Sequence, residues 1–319
     1  MKAVFVEQPG GVENLKYGDV PKPSPGPGQA LVKIVASGVN YIDIYFRKGV
    51  YPSPPPPPIM LGSEGAGTVE AIGPDVTNVA VGDRVAYAMA RGSYAEYAVV
   101  PAWQLVKIPA SVDFDTAAAA MLQGMTAHYL THSTYPLKPG DSCLIHAAAG
   151  GTGQLVVQMA KMLGARVTGT VGDEEKAKQA KEAGVDEVII YTKEDFAAKA
   201  KGMHVVYDSV GQSTFMKSLD CLRPRGMMVS FGNSSGPVGD IAPLVLSQKG
   251  SLFLTRPTLV NYTATAEELD WRANDVLNWL GQGKLKLHIH KVYPLADAGQ
   301  AQRDLESRKT TGKLLLRVG

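Results

Sequence analysis

Hydrophobic and polar positions fall into two textures along this chain. The first third alternates in short apolar stretches, such as Ala30 to Ser37 and Gly67 to Ile72, with Gly and Pro clusters between them. That pattern predicts strands. Met1 to Val6 is another short strand pattern, ending in Glu7. Gly82-Asp83 reads as a turn entering the strand Arg84-Val85-Ala86-Tyr87, and the prolines Pro54 to Pro58 read as a stiff loop spacer. The texture changes near Thr116. Ala117 to Ala120 opens a helical stretch, and a second runs from Gly124 to Thr134.

From Asp141 onward strands and helices alternate. Strands are expected at Ser142 to Ala147, Ala165 to Val171, Glu187 to Tyr191, His204 to Asp208, Met227 to Phe231 and Ser251 to Thr255. Helices are expected at Gln154 to Leu163, Glu174 to Ala183 (ended by Gly184), Asp195 to Lys201 and Ser213 to Leu222. Such alternation means crossover units, hence an α/β fold with a parallel sheet covered on both faces. After Ala264 a long helix reaches about Leu280, and a strand, a helix and a last strand, Lys313 to Val318, close the chain.

Length and composition narrow the classes. The 319 residues suffice for about two domains. With 45% hydrophobic and 19% charged residues, the chain is neither disordered nor fibrous. The 32 basic and 30 acidic residues leave a net charge of +2, which argues against nucleic acid as the main partner. Cys143 and Cys221 alone exclude a disulfide scaffold and a cysteine-rich zinc site. No apolar run approaches the roughly 20 residues of a membrane helix. The start lacks a signal-peptide layout, so a cytoplasmic enzyme is expected.

The most specific local signal is His146-Ala147-Ala148-Ala149-Gly150-Gly151-Thr152-Gly153, between an expected strand and an expected helix. That is the context of a dinucleotide loop. Ala149, Gly150, Gly151, Thr152 and Gly153 would let backbone N–H groups approach a pyrophosphate at a helix N-terminus. Ala148 stands where a first glycine is usual, which requires it to keep a negative φ. The second strand ends at Val171, where Gly172 replaces the acidic residue of an NAD-type ribose site, and Lys176 follows one turn later. A lysine there suits a 2′-phosphate, hence NADPH. Asp173 is read as the cap of the next helix; facing the ribose instead, it would favour NADH.

Beyond the loop, Gly140-Asp141-Ser142-Cys143-Leu144, Gln158 and Lys161 complete a stretch that resembles the quinone oxidoreductase and zeta-crystallin group of medium-chain dehydrogenases/reductases. Gly38-Val39-Asn40-Tyr41-Ile42-Asp43, Leu61-Gly62-Ser63-Glu64-Gly65-Ala66-Gly67, Phe231-Gly232-Asn233-Ser234-Ser235-Gly236 and Thr255-Arg256-Pro257 are similar to the same group, in one order along the whole chain. The resemblance implies a GroES-like β-rich catalytic domain, 1–124 with 265–319. It also implies an inserted Rossmann NADPH-binding domain, 125–264, with the active site in the cleft between the two. Zinc-dependent relatives carry Cys and His where this chain has Asn40 and Ser63, and no Cys lies near Gln123 to Thr126, so no metal is expected.

The resemblance assigns cofactor contacts to Asn40, Thr126, Gly172, Lys176, Tyr191, Val210, Phe231, Gly232, Asn233, Ser234, Thr255 and Arg308, in addition to the loop. Arg308 would join Lys176 at the 2′-phosphate, or serve only as an arginine at a helix end. Without a Lewis acid, hydride transfer to a quinone is less demanding than alcohol oxidation, because the product anion is delocalised. Asn40, Tyr45, Tyr51 and Arg256 are the catalytic candidates. Asn40 would meet the nicotinamide or a substrate oxygen, the tyrosines would form an aromatic wall or pack ordinarily, and Arg256 would face an oxyanion or hold structure. Two alternatives stand: reduction of α,β-unsaturated carbonyls, or an NADPH-binding structural or RNA-binding role, the latter opposed by the near-neutral charge. A homodimer joined at the edge formed by Ser251 to Thr255 is expected from the same relatives.

Overall fold

A computed structural model describes residues 1–51 and 57–319. Pro54 to Pro56 of the expected loop spacer lie outside the described residues. The chain divides into two compact units, Met1–Met125 with Thr263–Gly319, and Thr126–Tyr262.

The second unit is built on a six-stranded sheet in the order Glu187–Ile190, Arg166–Val171, Ser142–Ile145, Met203–Asp208, Leu222–Ser230, Phe253–Thr255. Every pairing is parallel; Val205 stands opposite Cys143, and Gly169 opposite Ile145. Strand order thus reverses beside Ser142–Ile145, the place where doubly wound sheets bind ligands at the carboxyl ends of their strands. Leu144, Val167, Val205, Val206 and Val229 are fully buried, as expected when helices cover both faces. The helices include Gly151–Met162, Glu174–Glu182, Phe196–Lys199 and Phe215–Leu219. This is the α/β, parallel-sheet architecture expected from the alternating pattern.

In the first unit a seven-stranded sheet runs Ile289–Pro294, Lys313–Arg317, Gln29–Val39, Glu64–Ile72, Arg84–Ala88, Val106–Lys107, and Tyr97–Pro101 also pairs with Gln29–Val39. Its core includes Val32, Ile34, Val69, Val85, Val100, Leu314 and Leu316. A three-stranded sheet joins Lys16–Asp19, Lys2–Val6 and Ile59–Met60. Two registers matter below. Leu314 pairs with Val39, so Lys313 comes level with Asn40, and Ser37 pairs with Gly65, so Glu64 lies level with Gly38.

Two expectations are corrected, and one helix is present for which no element was expected. The two helices expected from Ala117 and Gly124 are one helix, Phe114–Tyr129, which passes into a π turn at Leu130–Thr134. Gly124 does not break it. It gives room to the neighbouring helix Ala266–Gly281, because an added Cβ would come within 2.6 Å of Val276 Cγ1. The helix expected from Ser213 to Leu222 spans only Phe215–Leu219, and the strand expected at Met227 already starts at Leu222, through Arg225 at a left-handed φ of 60°. Finally, Tyr41–Arg47 is helical, although its residues alternate like a strand. Asn40 and Asp43 explain this: the Asn40 side chain and the Asp43 carboxylate satisfy each other's backbone donors as a capping box.

Candidate active site

The loop after the strand Ser142–Ile145 is shaped by close backbone approaches. Gly150 N donates to Ala147 O at 2.9 Å, and Ala148 N to Thr170 O at 3.1 Å. The left-handed conformation falls on Ala147, at φ 51°, one residue before the position usually held by glycine. An added Cβ at Gly153 would overlap the Ala147 carbonyl, and one at Gly169 would lie 2.8 Å from Ala148 Cβ. The helix Gly151–Met162 therefore starts tight against the loop. Its N-cap, Gly150, contributes no side-chain acceptor, so the first-turn N–H groups keep their capacity for an anion. This donor set fits a pyrophosphate.

His146 fixes the loop from below. Its ring nitrogens contact Thr170 Oγ1 at 2.8 Å and Ser218 Oγ at 2.9 Å, and Ser218 donates to Asp208 Oδ2 at 3.3 Å. Burial pushes the His146 pKa down, while Asp208 opposes that shift. Asp208 Oδ1 also accepts from Val210 N at 2.7 Å and Gly211 N at 3.0 Å. One buried chain of polar groups thus runs from the phosphate-type loop to the turn carrying Val210.

A second loop follows the strand Leu222–Ser230. Ser235 N donates to Val210 O at 2.8 Å, and Ser234 N to Ser209 O at 3.3 Å. An added Cβ at Gly232 would overlap the Ser209 carbonyl. Arg256 donates to Ser230 O at 2.8 Å and Gly232 O at 3.3 Å. Asn233, in the carboxamide orientation that satisfies both groups, donates to Gly232 O at 2.8 Å and accepts from Arg256 at 3.2 Å. The arginine is engaged by the backbone of the loop, so Phe231, Gly232, Asn233, Ser234, Thr255 and Arg256 form one connected stretch. Thr126 is buried near the end of the helix Phe114–Tyr129.

At the tip of Arg166–Val171, Gly172 leaves space for Tyr191: an added Cβ would stand 2.9 Å from its hydroxyl. The Tyr191 ring is 55% exposed, available to a flat partner. Asp173 caps the helix Glu174–Glu182, accepting from Lys176 N at 2.8 Å. The capping reading of Asp173 is thereby borne out. Its other oxygen stands 3.7 Å from Lys176 Nζ.

The first unit brings together a different set. Asn40, Asp43, Ser63, Glu64 and Lys313 are all buried. Lys313 Nζ donates to Asn40 Oδ1 at 2.7 Å and pairs with Glu64 Oε2 at 2.5 Å. Asn40 Nδ2 donates to Glu64 Oε2 at 2.8 Å, and Leu122 N to Glu64 Oε1 at 2.5 Å. Gly38 makes the room: an added Cβ would overlap the Glu64 carboxylate. Ser63 Oγ and Tyr94 OH both donate to Asp43. These residues do not suit zinc. Asn40 and Ser63 are weak ligands already committed to neighbours, and an ammonium stands beside Asn40. No group of three His, Cys, Asp or Glu among the described residues could hold a metal ion.

Tyr45 lies on the helix that Asn40 caps, and its ring meets Tyr51 edge-on at 5.3 Å between centroids. Tyr41 OH donates to Leu305 O at 3.0 Å, and Arg308, at a left-handed φ of 58°, acts on the same hydroxyl. Neither Lys313 nor Asp208 stands out in the sequence as a site residue. A lysine opening the apolar run Leu314-Leu315-Leu316 and an aspartate ending the strand Met203–Asp208 were the available signals.

A doubly wound sheet with a glycine-built phosphate cradle, on a chain with a separate β-rich unit, defines a medium-chain dehydrogenase/reductase. Residues 26–110 match the alcohol dehydrogenase GroES-like domain, and residues 183–316 the zinc-binding dehydrogenase family. The chain is 46% identical to the quinone oxidoreductase of Pseudomonas aeruginosa over 96% of each protein. Its fold matches that of Pseudomonas syringae quinone oxidoreductase with a TM-score of 0.96, at 47% identity and 99% coverage of both chains. It likewise matches Escherichia coli quinone oxidoreductase, solved as a complex with NADPH, with a TM-score of 0.96, at 42% identity over 99% of this chain and 100% of that one. The chain belongs to the quinone oxidoreductase family.

Proposed function

We propose that this protein is a zinc-independent, NADPH-dependent quinone reductase. The observation that carries the reading is the cradle at Ala147 to Gly153, whose close backbone contacts leave helix N-terminal donors for a pyrophosphate, in a chain with quinone oxidoreductase relatives. NADPH, when bound, supplies the hydride. The protein's task is then to bind, orient and exclude water. Ala149, Gly150, Gly151, Thr152 and Gly153 hold the pyrophosphate. Lys176 and Arg308 meet the 2′-phosphate, and Gly172 and Tyr191 the adenosine end. Val210, Phe231, Gly232, Asn233, Ser234 and Thr255 carry the nicotinamide side, with Thr126 beside them and Arg256 bracing their loop. Asn40 meets the reacting groups, and Tyr45 and Tyr51 give a flat acceptor an aromatic wall.

The reaction consumes one NADPH, one proton and one quinone and yields NADP⁺ and hydroquinone. A delocalised product anion makes a metal unnecessary for such an acceptor. A panel of quinones and enones with both cofactors tests the assignment: quinone-dependent NADPH oxidation is expected, and efficient enone reduction without quinone reduction would overturn it.

The same reading extends to assembly and place. Phe253–Thr255 is the outer strand of its sheet, and Phe253 and Leu254 are exposed there. A second copy pairing at this edge would continue the sheet and cover those side chains. No helix among the described residues is long and apolar enough to cross a membrane, and a cytoplasmic enzyme fits the reading.

A further inference from the structure

Arg308 stands where a helix ordinarily ends on glycine. It follows the helix Ala298–Glu306 and its cap Ser307, at a left-handed φ of 58° that a Cβ disfavours. The helix Tyr41–Arg47 fixes this chain end from the side. Tyr41 OH donates to Leu305 O at 3.0 Å, and Arg308 N donates to the same carbonyl at 3.2 Å. Two ion pairs tie the same helix ends together: Arg47 Nη2 with Glu306 Oε2 at 2.9 Å, and Lys48 Nζ with Glu306 Oε1 at 2.5 Å. The Tyr41 hydroxyl gives its single proton to Leu305, so its oxygen meets the Arg308 guanidinium as an acceptor. A guanidinium carries five N–H donors in a rigid fork, and one phenol oxygen does not exhaust them. Held at one edge, an exposed arginine loses less side-chain freedom when an anion takes the other.

We propose that Tyr41 is a specificity-determining residue for the cofactor: its hydroxyl holds the Arg308 side chain ready for the 2′-phosphate of NADPH. This rests on the role given to Arg308 above. The left-handed backbone then has a functional reason. A glycine at 308 would end the helix with less strain but would offer a phosphate no guanidinium. NADH carries a ribose hydroxyl in place of that phosphate, so Tyr41 contributes to the binding of one cofactor and not of the other.

Fluorescence titration with NADPH and with NADH tests it, on the unsubstituted protein, Tyr41→Phe, Arg308→Gly and the double variant. Arg308→Gly is expected to lower the preference for NADPH roughly 10- to 100-fold without lowering Tm, because the guanidinium and the backbone strain are lost together. Tyr41→Phe keeps the ring and removes only the hydroxyl. It is expected to lower the preference about fivefold, through NADPH alone, and by less than about twofold where Arg308 is already glycine. A preference unchanged by Tyr41→Phe, or an equal loss in both backgrounds, would overturn the inference, since Tyr41 would then serve the fold alone. A preference unchanged by Arg308→Gly would instead leave Arg308 as a helix cap and overturn the role on which the inference rests. An unsubstituted protein that binds NADH as tightly as NADPH would overturn the cofactor reading itself.

Discussion

Ser63 donates from Oγ to Asp43 Oδ1 across 2.7 Å, with both residues buried. The carboxylate also accepts from Tyr94 OH at 3.0 Å and Asn40 N at 3.0 Å. Even so, burial dominates and pushes its pKa up to about 6, against the opposing pull of these donors and of Lys313. The sign follows. The unfolded carboxyl titrates near 3.8, so between about pH 4 and 6 the folded chain holds a proton that the unfolded chain has lost. The resulting stabilisation is present below pH 4 and is lost as pH rises through 6, to the extent of about 3 kcal/mol. Asp43→Asn should remove this dependence, so that the variant gains on the natural protein between pH 4 and 7 in urea unfolding. A pH-independent difference would contradict the assignment.

Gly153→Ala tests the phosphate cradle. The methyl group would overlap the Ala147 carbonyl, which is backbone and cannot step aside cheaply. Loop displacement should cost about 1–3 kcal/mol of stability. NADPH binding should weaken by at least tenfold, as measured by fluorescence titration. Unchanged affinity would mean that the cofactor does not use this helix start.

Cofactor choice is tested at Lys176. A charge-assisted contact to the 2′-phosphate contributes about 1.5–3 kcal/mol, so Lys176→Ala should weaken NADPH roughly 10- to 100-fold. NADH should be nearly unaffected. Equal losses for both cofactors would show that Lys176 does not read the phosphate.

The sheet edge gives a fourth test. Leu254→Lys places a charge on the exposed strand Phe253–Thr255 without touching the core. Light scattering should find a dimer for the natural chain and a monomer for the variant. A natural chain that is monomeric at micromolar concentration would refute the assembly.

What could be read from the sequence follows the range of the interactions concerned. The parallel sheet and the Gly150 to Gly153 loop were legible because apolar runs and glycines act on their neighbours in the chain. Asp173 as a cap was legible for the same reason, since its partner lies only three residues on. The helix Tyr41–Arg47 was not, because its capping box overrides an alternating pattern. Least accessible was the ion pair of Glu64 with Lys313, 249 positions apart, which only the registers of three strands bring together. Asn40 was recognised as a candidate, but the groups that fix its orientation lay beyond any local signal.

The proposed reaction is hydride transfer from NADPH to a quinone without a metal. Its most direct test is anaerobic stoichiometry: NADPH consumed and hydroquinone formed are measured together in purified protein whose zinc content is known from elemental analysis. The expected result is one hydroquinone per NADPH, in protein lacking stoichiometric zinc and indifferent to a chelator. Quinone-independent NADPH loss, or activity that rises and falls with bound zinc, would contradict it.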